Sequence, residues 1–324
     1  MTTGYGVAVQ SAVYSNARIT GIFGEDVMLG SYIVRTIPIF LAILLLRFNL
    51  LSSLTIFSAI SCGGCKSDVF PAALAIEILH NFTLVHDDIM DGDVIRHGQQ
   101  TVHDKWDEGV AILTGDAILS LALKLLLQLK NHKEQQMSLF IEGLLAVCEG
   151  QAIDKEFETQ LNVSLNDYIK MIDLKTGYMI GLSAHMGATS ANVESDVCIK
   201  LRNYGRLIGR AFQMQDDFLE IFSNNKNMGK SLESDILLGK KTMLMTMALD
   251  KNKELIDSAI YDSKKDFQKG MVEIRKFIND VGIAEYVENE INKNIRLANK
   301  EIENLKINKK NIMYFSNLIK KRES

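Results

Sequence analysis

Proline is almost absent from this sequence. Two of the 324 residues are proline, where average usage of about 5% would give roughly 16. Because proline breaks helices and is common in turns, its scarcity argues against a loop-rich β-sandwich. Apolar residues make up 47% of the chain and charged residues 23%. This composition argues against disorder and indicates a largely helical protein with a sizeable core.

Cysteine and net charge are also low. Four cysteines are too few, and too irregularly spaced, for a disulfide framework. The Cys62–Cys65 spacing leaves half a zinc site or a redox pair open, but free thiols in a reducing cytoplasm are the favoured interpretation. A net charge of −4 provides no basic surface, so no nucleic-acid partner is expected.

Long apolar runs are missing as well. The most apolar run, residues 37–46, is too short to span a bilayer, and with Pro38 near its start it predicts the first turns of a buried helix. The first residues show no basic region followed by an apolar stretch, so no secretory signal is expected. We therefore predict no transmembrane segment and a cytoplasmic protein.

Apolar residues recur with helical spacing over much of the chain. The predicted helices cover residues 71–85 (with Pro71 at the opening), 111–129, 139–157, 165–186 and 199–222. Residues 223–239 are polar and predict a loop, whereas the residues after 251 predict helices with a solvated face. Since no repeat or linker divides the chain, we predict one all-α domain over residues 1–324, with residues 1–25 partly irregular.

Two acidic clusters share one spacing. They are Asp87, Asp88 and Asp91, and then Asp216, Asp217 and Glu220. Residues three and four apart lie on one face of a helix, so each cluster presents its carboxylates to one side. Burying unpaired carboxylates is expensive, and Mg²⁺ with water and substrate phosphate would compensate them. A helix cap or a lysine pair would explain one cluster, but two matched clusters favour the metal.

Basic residues follow both clusters. They are Arg96, Lys175, Lys230, Lys240 and Lys241. Each of them alone is typical of a solvated surface charge. Together they would supply the hydrogen-bond donors that a diphosphate needs beyond its metal ions.

These motifs, in this order, resemble those of the trans-isoprenyl diphosphate synthases. Residues 84–91, followed by 96–98, resemble the first aspartate-rich motif of that family, and residues 211–220 resemble the second. Gly150-Gln151 with Asp154, and then Lys175-Thr176-Gly177, fall between them in family order. The resemblance covers residues 25–320 and is greatest to short-chain, geranylgeranyl-type members.

The resemblance implies a fold and a set of site residues. The implied fold is an all-α, isoprenoid-synthase-type helical bundle around a deep central cavity, usually in a homodimer. Three Mg²⁺ ions on an allylic diphosphate would be held by the two acidic clusters, with Glu220 as a longer ligand. The phosphates would be contacted by Arg96, Lys175, Lys230 and Lys240. The developing cation would lie near Thr176 and Gln213, with Phe212 among the substrate-binding residues.

The implied activity is chain elongation. The allylic diphosphate ionises, the double bond of isopentenyl diphosphate attacks the cation, and a proton is lost to the released diphosphate. Water must be excluded, because it would convert the cation into an alcohol. One aromatic residue, Phe82, stands five positions before Asp87 without another at position 83. This pattern resembles C20 synthases, with C15 as the next product considered; Phe82 is either the tunnel floor or an ordinary core residue.

The chain departs from the family pattern on the isopentenyl diphosphate side. Of the basic string near the start, only Arg35 remains, and His97 stands where the family has a second arginine; His80 is retained. In addition, Glu220 replaces an aspartate. A neutral His97 would not replace an always-charged arginine. Elongation is placed first. The alternatives are a terpene synthase-like enzyme that ionises a prenyl diphosphate without isopentenyl diphosphate, and a non-catalytic subunit of a heteromeric synthase.

Overall fold

The structure is a computed structural model that describes residues 50–160, 162–222 and 240–321. Several predictions fall outside these ranges. They are the irregular residues 1–25, the helix at 37–46, the loop at 223–239 and the candidate residues Arg35 and Lys230.

Helices make up nearly all of the described residues. They are α1 (Leu50–Ser61), α2 (Lys66–Asp91), α3 (Val102–Lys105), α4 (Glu108–Leu126), α5 (Lys133–Thr159), α6 (Leu165–Ile172), α7 (Tyr178–Ser190), α8 (Ser195–Phe222), α9 (Met243–Lys251), α10 (Lys253–Ser263), α11 (Phe267–Asp280), α12 (Ile283–Glu303) and α13 (Lys310–Lys320). A π-helical turn, Asp173–Gly177, joins α6 to α7, and β1 (Ile95–Arg96) pairs with β2 (Gln99–Gln100). The predicted all-α fold is confirmed.

Two of the predicted helices differ from the observed ones in ways that have physical causes. Helix α2 begins at Lys66, so Pro71 lies inside the helix and not at its opening. The proline lacks the N–H that would bond the carbonyl of Ser67, but that residue is exposed, and water can replace the bond. The predicted helix at 165–186 is interrupted by the π turn and continues to Ser190.

The end of α2 determines where the first acidic cluster sits. Gly92 adopts the left-handed conformation with φ of 68° and closes the helix directly after Asp91. The chain then forms the small β1–β2 hairpin, whose turn residues His97 and Gly98 have φ of 51° and 75°. Two consecutive positive φ values produce a tight hairpin turn. Arg96, which directly precedes this turn, lies beside the end of α2, where its guanidinium contacts Asp88.

Helix α7 lies at the centre of the bundle. Residues 179–189 of this helix are all buried, and α1, α2, α5 and α8 pack around it. One close approach is to α8, where a Cβ on Gly205 would lie 2.7 Å from the Cα of Gly181. A second close approach joins Gly209 of α8 to the π turn, where a Cβ would lie 2.6 Å from the Cα of Gly177. These glycines bring the two helices and the π turn close together.

By length and composition, α2 and α4 of the described helices are apolar enough to cross a membrane. In α2, 56% of the most apolar stretch is buried inside the protein, as in a core helix. In α4 the buried share is 28%, and Ile112 and Leu113 are exposed. Helix α5 exposes Ile141 and Leu145 as well. One face of the bundle is therefore unusually apolar.

Candidate active site

The first acidic cluster occupies the last turn of α2. The Asp88 residue is 5% exposed, the Asp91 side chain 1% and the Asp87 side chain 16%. Carboxylates this deeply buried need compensating cations. The three side chains are paired with cations from the hairpin, from α5, from the π turn and from the segment before α9.

Arg96 binds the first cluster from the hairpin. Its Nε and a terminal nitrogen each lie 2.5 Å from Asp88 Oδ1. The same guanidinium lies 3.5 Å from Asp93 Oδ2. The predicted phosphate-binding arginine is therefore at the acidic cluster, where it neutralises carboxylates in this conformation.

Lys175 connects the π turn to both α2 and α5. Its Nζ lies 2.6 Å from Asp154 Oδ2 and 3.4 Å from Asp87 Oδ1. Burial lowers the pKa of Lys175, but Asp87 and Asp154 outweigh burial, so its pKa is raised above the ordinary value. Helix α5 can approach the π turn this closely because residue 150 is a glycine. A Cβ at that position would lie 2.4 Å from the backbone nitrogen of Lys175. Lys175 is thus a charged ammonium held among carboxylates.

Asp91 lies between two lysines. Lys240 Nζ is 3.1 Å from Asp91 Oδ2, and Lys155 Nζ is 3.5 Å from Asp91 Oδ1. Lys155 also donates to the carbonyl of Met90 at 2.9 Å, at the C-terminal end of α2. Sequence reasoning predicted Lys240 but missed Lys155. The sequence feature that could have identified Lys155 is its position directly after Asp154, in the motif that follows Gly150.

The second acidic cluster lies on α8, and its middle residue is the most buried. Asp217 is 7% exposed; it accepts a hydrogen bond from Tyr168 at 2.6 Å and another from Gln213 Nε2 at 2.9 Å. Burial raises the pKa of Asp217 to about 7, with Tyr168 and Gln213 opposing and Asp216 and Asp154 adding to the increase. Asp216 and Glu220 are half-buried on the same helix.

The charge effects bring the two clusters into one neighbourhood. Asp154, which binds Lys175 beside Asp87, also raises the pKa of Asp217 and that of Tyr168. Asp154 of α5 therefore lies within electrostatic range of Asp217 on α8, and it is joined to Asp87 on α2 through Lys175. Tyr168 lies seven residues before Lys175. It was not predicted as a site residue, because a tyrosine within an apolar helix is usually an ordinary core residue.

Thr176 and Gln213, predicted to lie near the developing cation, are in direct contact. Thr176 Oγ1 donates to Gln213 Oε1 at 2.9 Å, which joins the π turn to α8. The neighbouring Phe212 is half-buried and packs against the hydrophobic core. The predicted pair is thus assembled by the fold, whereas the substrate contact of Phe212 stays a prediction.

His80 and His97 mark the predicted isopentenyl diphosphate side. Burial lowers the pKa of His80, and the charges of Arg96 and His97 lower it further against the opposing effects of Glu77 and Asp87. His80 therefore lies within electrostatic range of the hairpin. His97 is exposed at the hairpin turn. Arg35, the third residue predicted for this side, lies outside the described residues.

Phe82 is buried in α2, one turn before the acidic cluster. Its ring centroid lies 4.6 Å from that of His86. The His86 ring in turn occupies the space beside Gly115, where a Cβ would lie 2.2 Å from His86 Nε2. The aromatic side chain is therefore held by its neighbours; its role as tunnel floor stays a prediction.

The donor set fits Mg²⁺ that arrives with a substrate. Among the described residues, no three His, Cys, Asp or Glu side chains converge as a closed metal cage requires. Mg²⁺, however, usually binds through one or two carboxylates and completes its shell with water and substrate phosphates. Carboxylate oxygens exceed the lysines and the arginine that face them, which suits a hard cation. The predicted ligands are Asp87, Asp88 and Asp91 with Asp216, Asp217 and Glu220, and they stay a prediction.

Known proteins similar to this chain agree with its motifs. The Polyprenyl synthetase family model matches residues 49–278. The short chain isoprenyl diphosphate synthase of Methanothermobacter thermautotrophicus is 34% identical over 257 residues, which cover 78% of each chain. The geranylgeranyl diphosphate synthase of Saccharolobus solfataricus is 41% identical over 226 residues, covering 66% of this chain and 68% of that one.

A solved structure supports the same family. The crystal structure of geranylgeranyl pyrophosphate synthetase from Pyrococcus horikoshii superposes with a TM-score of 0.81 at 30% identity, covering 91% of this chain and 90% of that chain. The predicted resemblance and fold are confirmed by these matches. The chain therefore belongs to the polyprenyl synthetase family and is a prenyltransferase of the isoprenyl diphosphate synthase type.

Proposed function

We propose that the protein is a Mg²⁺-dependent synthase that joins an allylic diphosphate to isopentenyl diphosphate. The expected product is a C20 prenyl diphosphate, with C15 as the shorter possibility. The names of the similar proteins support short-chain products, since two of them are a short chain isoprenyl diphosphate synthase and a geranylgeranyl diphosphate synthase.

One observation carries this proposal. Asp154 of α5 acts on Asp217 of α8 and shares Lys175 with Asp87 of α2, while Lys240 pairs with Asp91, so carboxylates from three helices are linked and interleaved with basic side chains. Such a cluster is costly for stability alone, because each charge must be desolvated. It is well suited to a ligand that carries several negative charges together with divalent cations.

The basic residues would bind and stabilise the leaving group. Lys175, Lys240 and Arg96 can turn from their carboxylates to the phosphate oxygens, since each is a flexible side chain with further donors. When the allylic C–O bond breaks, its electron pair stays on the diphosphate, and these cations meet the added charge. Bound Mg²⁺ would supply further positive charge at the same oxygens.

The cation left on the prenyl chain would face oxygen atoms and apolar walls. Thr176 and Gln213 place hydroxyl and amide oxygens together at the π turn. The double bond of isopentenyl diphosphate forms the new C–C bond, and the proton then lost passes to the diphosphate. Buried Phe82 and its apolar neighbours on α2 would keep water away from the chain.

The isopentenyl diphosphate side decides between elongation and its alternatives. His97 lies near His80 and Arg96, so a binding site for a second diphosphate is still supported there. The terpene synthase-like alternative requires ionisation without that second substrate, and the non-catalytic subunit requires neither reaction.

The test is an incubation of the pure protein with Mg²⁺ and farnesyl or geranyl diphosphate, with and without isopentenyl diphosphate. We expect longer prenyl diphosphates only when both substrates are present, and no product after chelation of Mg²⁺ until the ion is restored. Hydrocarbons or alcohols formed without isopentenyl diphosphate would support the terpene synthase-like alternative. No turnover under any condition would support the non-catalytic subunit.

The apolar face of α4 and α5 is proposed as the contact between two copies of this chain. Ile141 and Leu145 lie four residues apart on one side of α5, and Leu145 is 65% exposed. Exposed apolar residues of this kind are typical of a protein interface. Leu145→Arg should convert a dimer into a monomer in sedimentation experiments. Val272→Arg, at a residue of α11 that is 62% exposed, serves as the comparison and should leave the dimer intact. A wild-type monomer would contradict the proposal.

A further inference from the structure

A chain of three hydrogen bonds runs from α6 through α8 to the π turn. The Tyr168 hydroxyl donates to Asp217 Oδ2 at 2.6 Å, and Gln213 Nε2 donates to Asp217 Oδ1 at 2.9 Å. Thr176 Oγ1 then donates to Gln213 Oε1 at 2.9 Å. All three distances lie in the range of well-formed hydrogen bonds. The chain therefore ends at the residue pair that faces the proposed cation.

The direction of each bond in this chain follows from the first. Asp217 Oδ1 accepts from the amide nitrogen of Gln213, which is the direction expected of a carboxylate. The amide oxygen of Gln213 is thereby turned toward Thr176, whose hydroxyl hydrogen it accepts. The lone pairs of Thr176 Oγ1 are then left facing away from that hydrogen. A positive charge is stabilised by lone pairs and destabilised by N–H and O–H groups.

Without Asp217, the amide of Gln213 could rotate by about 180°, since both orientations have the same shape. Its nitrogen would then face Thr176, and an N–H group would lie where the cation forms. The hydroxyl of Tyr168 fixes the other oxygen of Asp217, and this tyrosine is only 1% exposed. Tyr168 and Asp217 together thus determine which end of the Gln213 amide points into the site.

We propose that Tyr168 and Asp217 are positioning residues that orient Gln213 and Thr176 toward the allylic cation. This inference rests on the proposed ionisation of an allylic diphosphate. It gives Asp217 a role apart from that of a metal ligand, because both of its oxygens are engaged by Tyr168 and Gln213. Asp217 would therefore leave the set of metal ligands that its spacing predicts.

The first test is a double-mutant cycle on kcat. Tyr168→Phe removes one hydroxyl, and we expect kcat to fall about tenfold with the KM of both substrates little changed. If Tyr168 acts through Gln213, the same change in a Gln213→Met background should lower kcat by less than about twofold. A tenfold loss in both backgrounds would mean that Tyr168 acts independently of Gln213, and the inference would be overturned.

Tyr204→Phe provides the matched control. Tyr204 is also fully buried and donates from α8 to the carbonyl of Ile312 at 2.6 Å, in a contact with α13. This variant should lower the unfolding temperature about as much as Tyr168→Phe does, but leave kcat within about twofold of wild type. If Tyr204→Phe lowered kcat equally, the loss in Tyr168→Phe would reflect stability alone, which would overturn the inference.

The second test separates positioning from metal binding and does not depend on turnover. Calorimetric titration of the protein with inorganic diphosphate in excess Mg²⁺ should show binding weakened about tenfold or more by Asp216→Asn. Asp217→Asn should change the same affinity by less than about twofold. Equal weakening by both variants would identify Asp217 as a metal ligand and overturn the inference. Failure of the proposed function would appear differently, as a wild-type protein that forms no product from any allylic diphosphate.

Discussion

Asp173 fixes the π turn that carries Lys175 and Thr176. Asp173 is 6% exposed. Its carboxylate accepts a hydrogen bond from Arg210 Nε at 2.8 Å and another from Arg206. Burial alone would raise the pKa of Asp173, but the two arginines outweigh burial, so the pKa is lowered. We therefore predict that Asp173→Asn loosens the π turn and lowers both stability and activity.

The expected loss of stability follows from the exposure of the partners. Removing one member of a fully buried ion pair costs about 3–5 kcal/mol. Here both arginine side chains are 29% exposed and can be partly rehydrated, and asparagine keeps one acceptor oxygen. We expect Asp173→Asn to reduce the free energy of unfolding by about 2 kcal/mol at pH 7. Because the folded-state pKa is lowered, this contribution is present above the ordinary value of 3.8 and is lost as the pH falls through the folded-state pKa.

Urea unfolding followed by circular dichroism measures the stability, and kcat measures the effect on the π turn. We expect kcat to fall about tenfold or more, since small displacements of positioned groups are costly in catalysis. Asp196→Asn is the control: it also removes one negative charge, but Asp196 lies on α8 in a largely exposed pair with Lys200, so its loss should change the stability very little. Equal stability and equal kcat in the two variants would refute this account of the π turn.

Further predictions concern the packing, the pH response and the product. Gly209→Ala would place a Cβ 2.6 Å from Gly177, so it should cost about 1–3 kcal/mol in urea unfolding and lower kcat; unchanged values would contradict the close packing. Burial and then the charge of Arg202 lower the pKa of His185 from 6.5 to about 4, so stability should be lost as the pH falls below 6.5, by about 2 kcal/mol between pH 7 and pH 5. His185→Gln should remove that part of the pH dependence, and parallel curves would show that other groups cause it. Phe82→Ala should lengthen the product, as judged by chromatography of dephosphorylated products; an unchanged distribution would count against the tunnel-floor role.

The acidic clusters were predictable from sequence because their geometry is local. Each cluster spans a single helical turn, so spacing alone places its carboxylates on one face. Tyr168 and Lys155 were not predictable in this way. Tyr168 bonds a residue 49 positions away and Lys155 one 64 positions away, and such pairings depend on how the helices pack. Pattern reasoning therefore identified the two clusters but not the side chains that orient them.

The π turn escaped prediction for a related reason. An apolar pattern with helical spacing runs through residues 165–186, and a single widened turn changes that pattern too little to be noticed. Asp173 did not stand out in the sequence, because the same segment carries Asp167, Lys170 and Lys175. Its partners Arg206 and Arg210 lie on α8, and no local spacing predicts a contact between residues this far apart.

Under the proposed function, the pairing of charges in the site implies that Mg²⁺ and diphosphate would assist one another in binding. Asp87, Asp88 and Asp91 are engaged by Lys175, Arg96 and Lys240. A diphosphate alone would draw these cations away and leave the carboxylates unpaired, and Mg²⁺ alone would have to compete with the cations for the same oxygens. When both bind, each carboxylate can exchange an ammonium or guanidinium for a metal ion while the phosphates receive the released cations. Since coupling between two ligands is reciprocal, diphosphate must tighten Mg²⁺ binding by the same factor as Mg²⁺ tightens diphosphate binding.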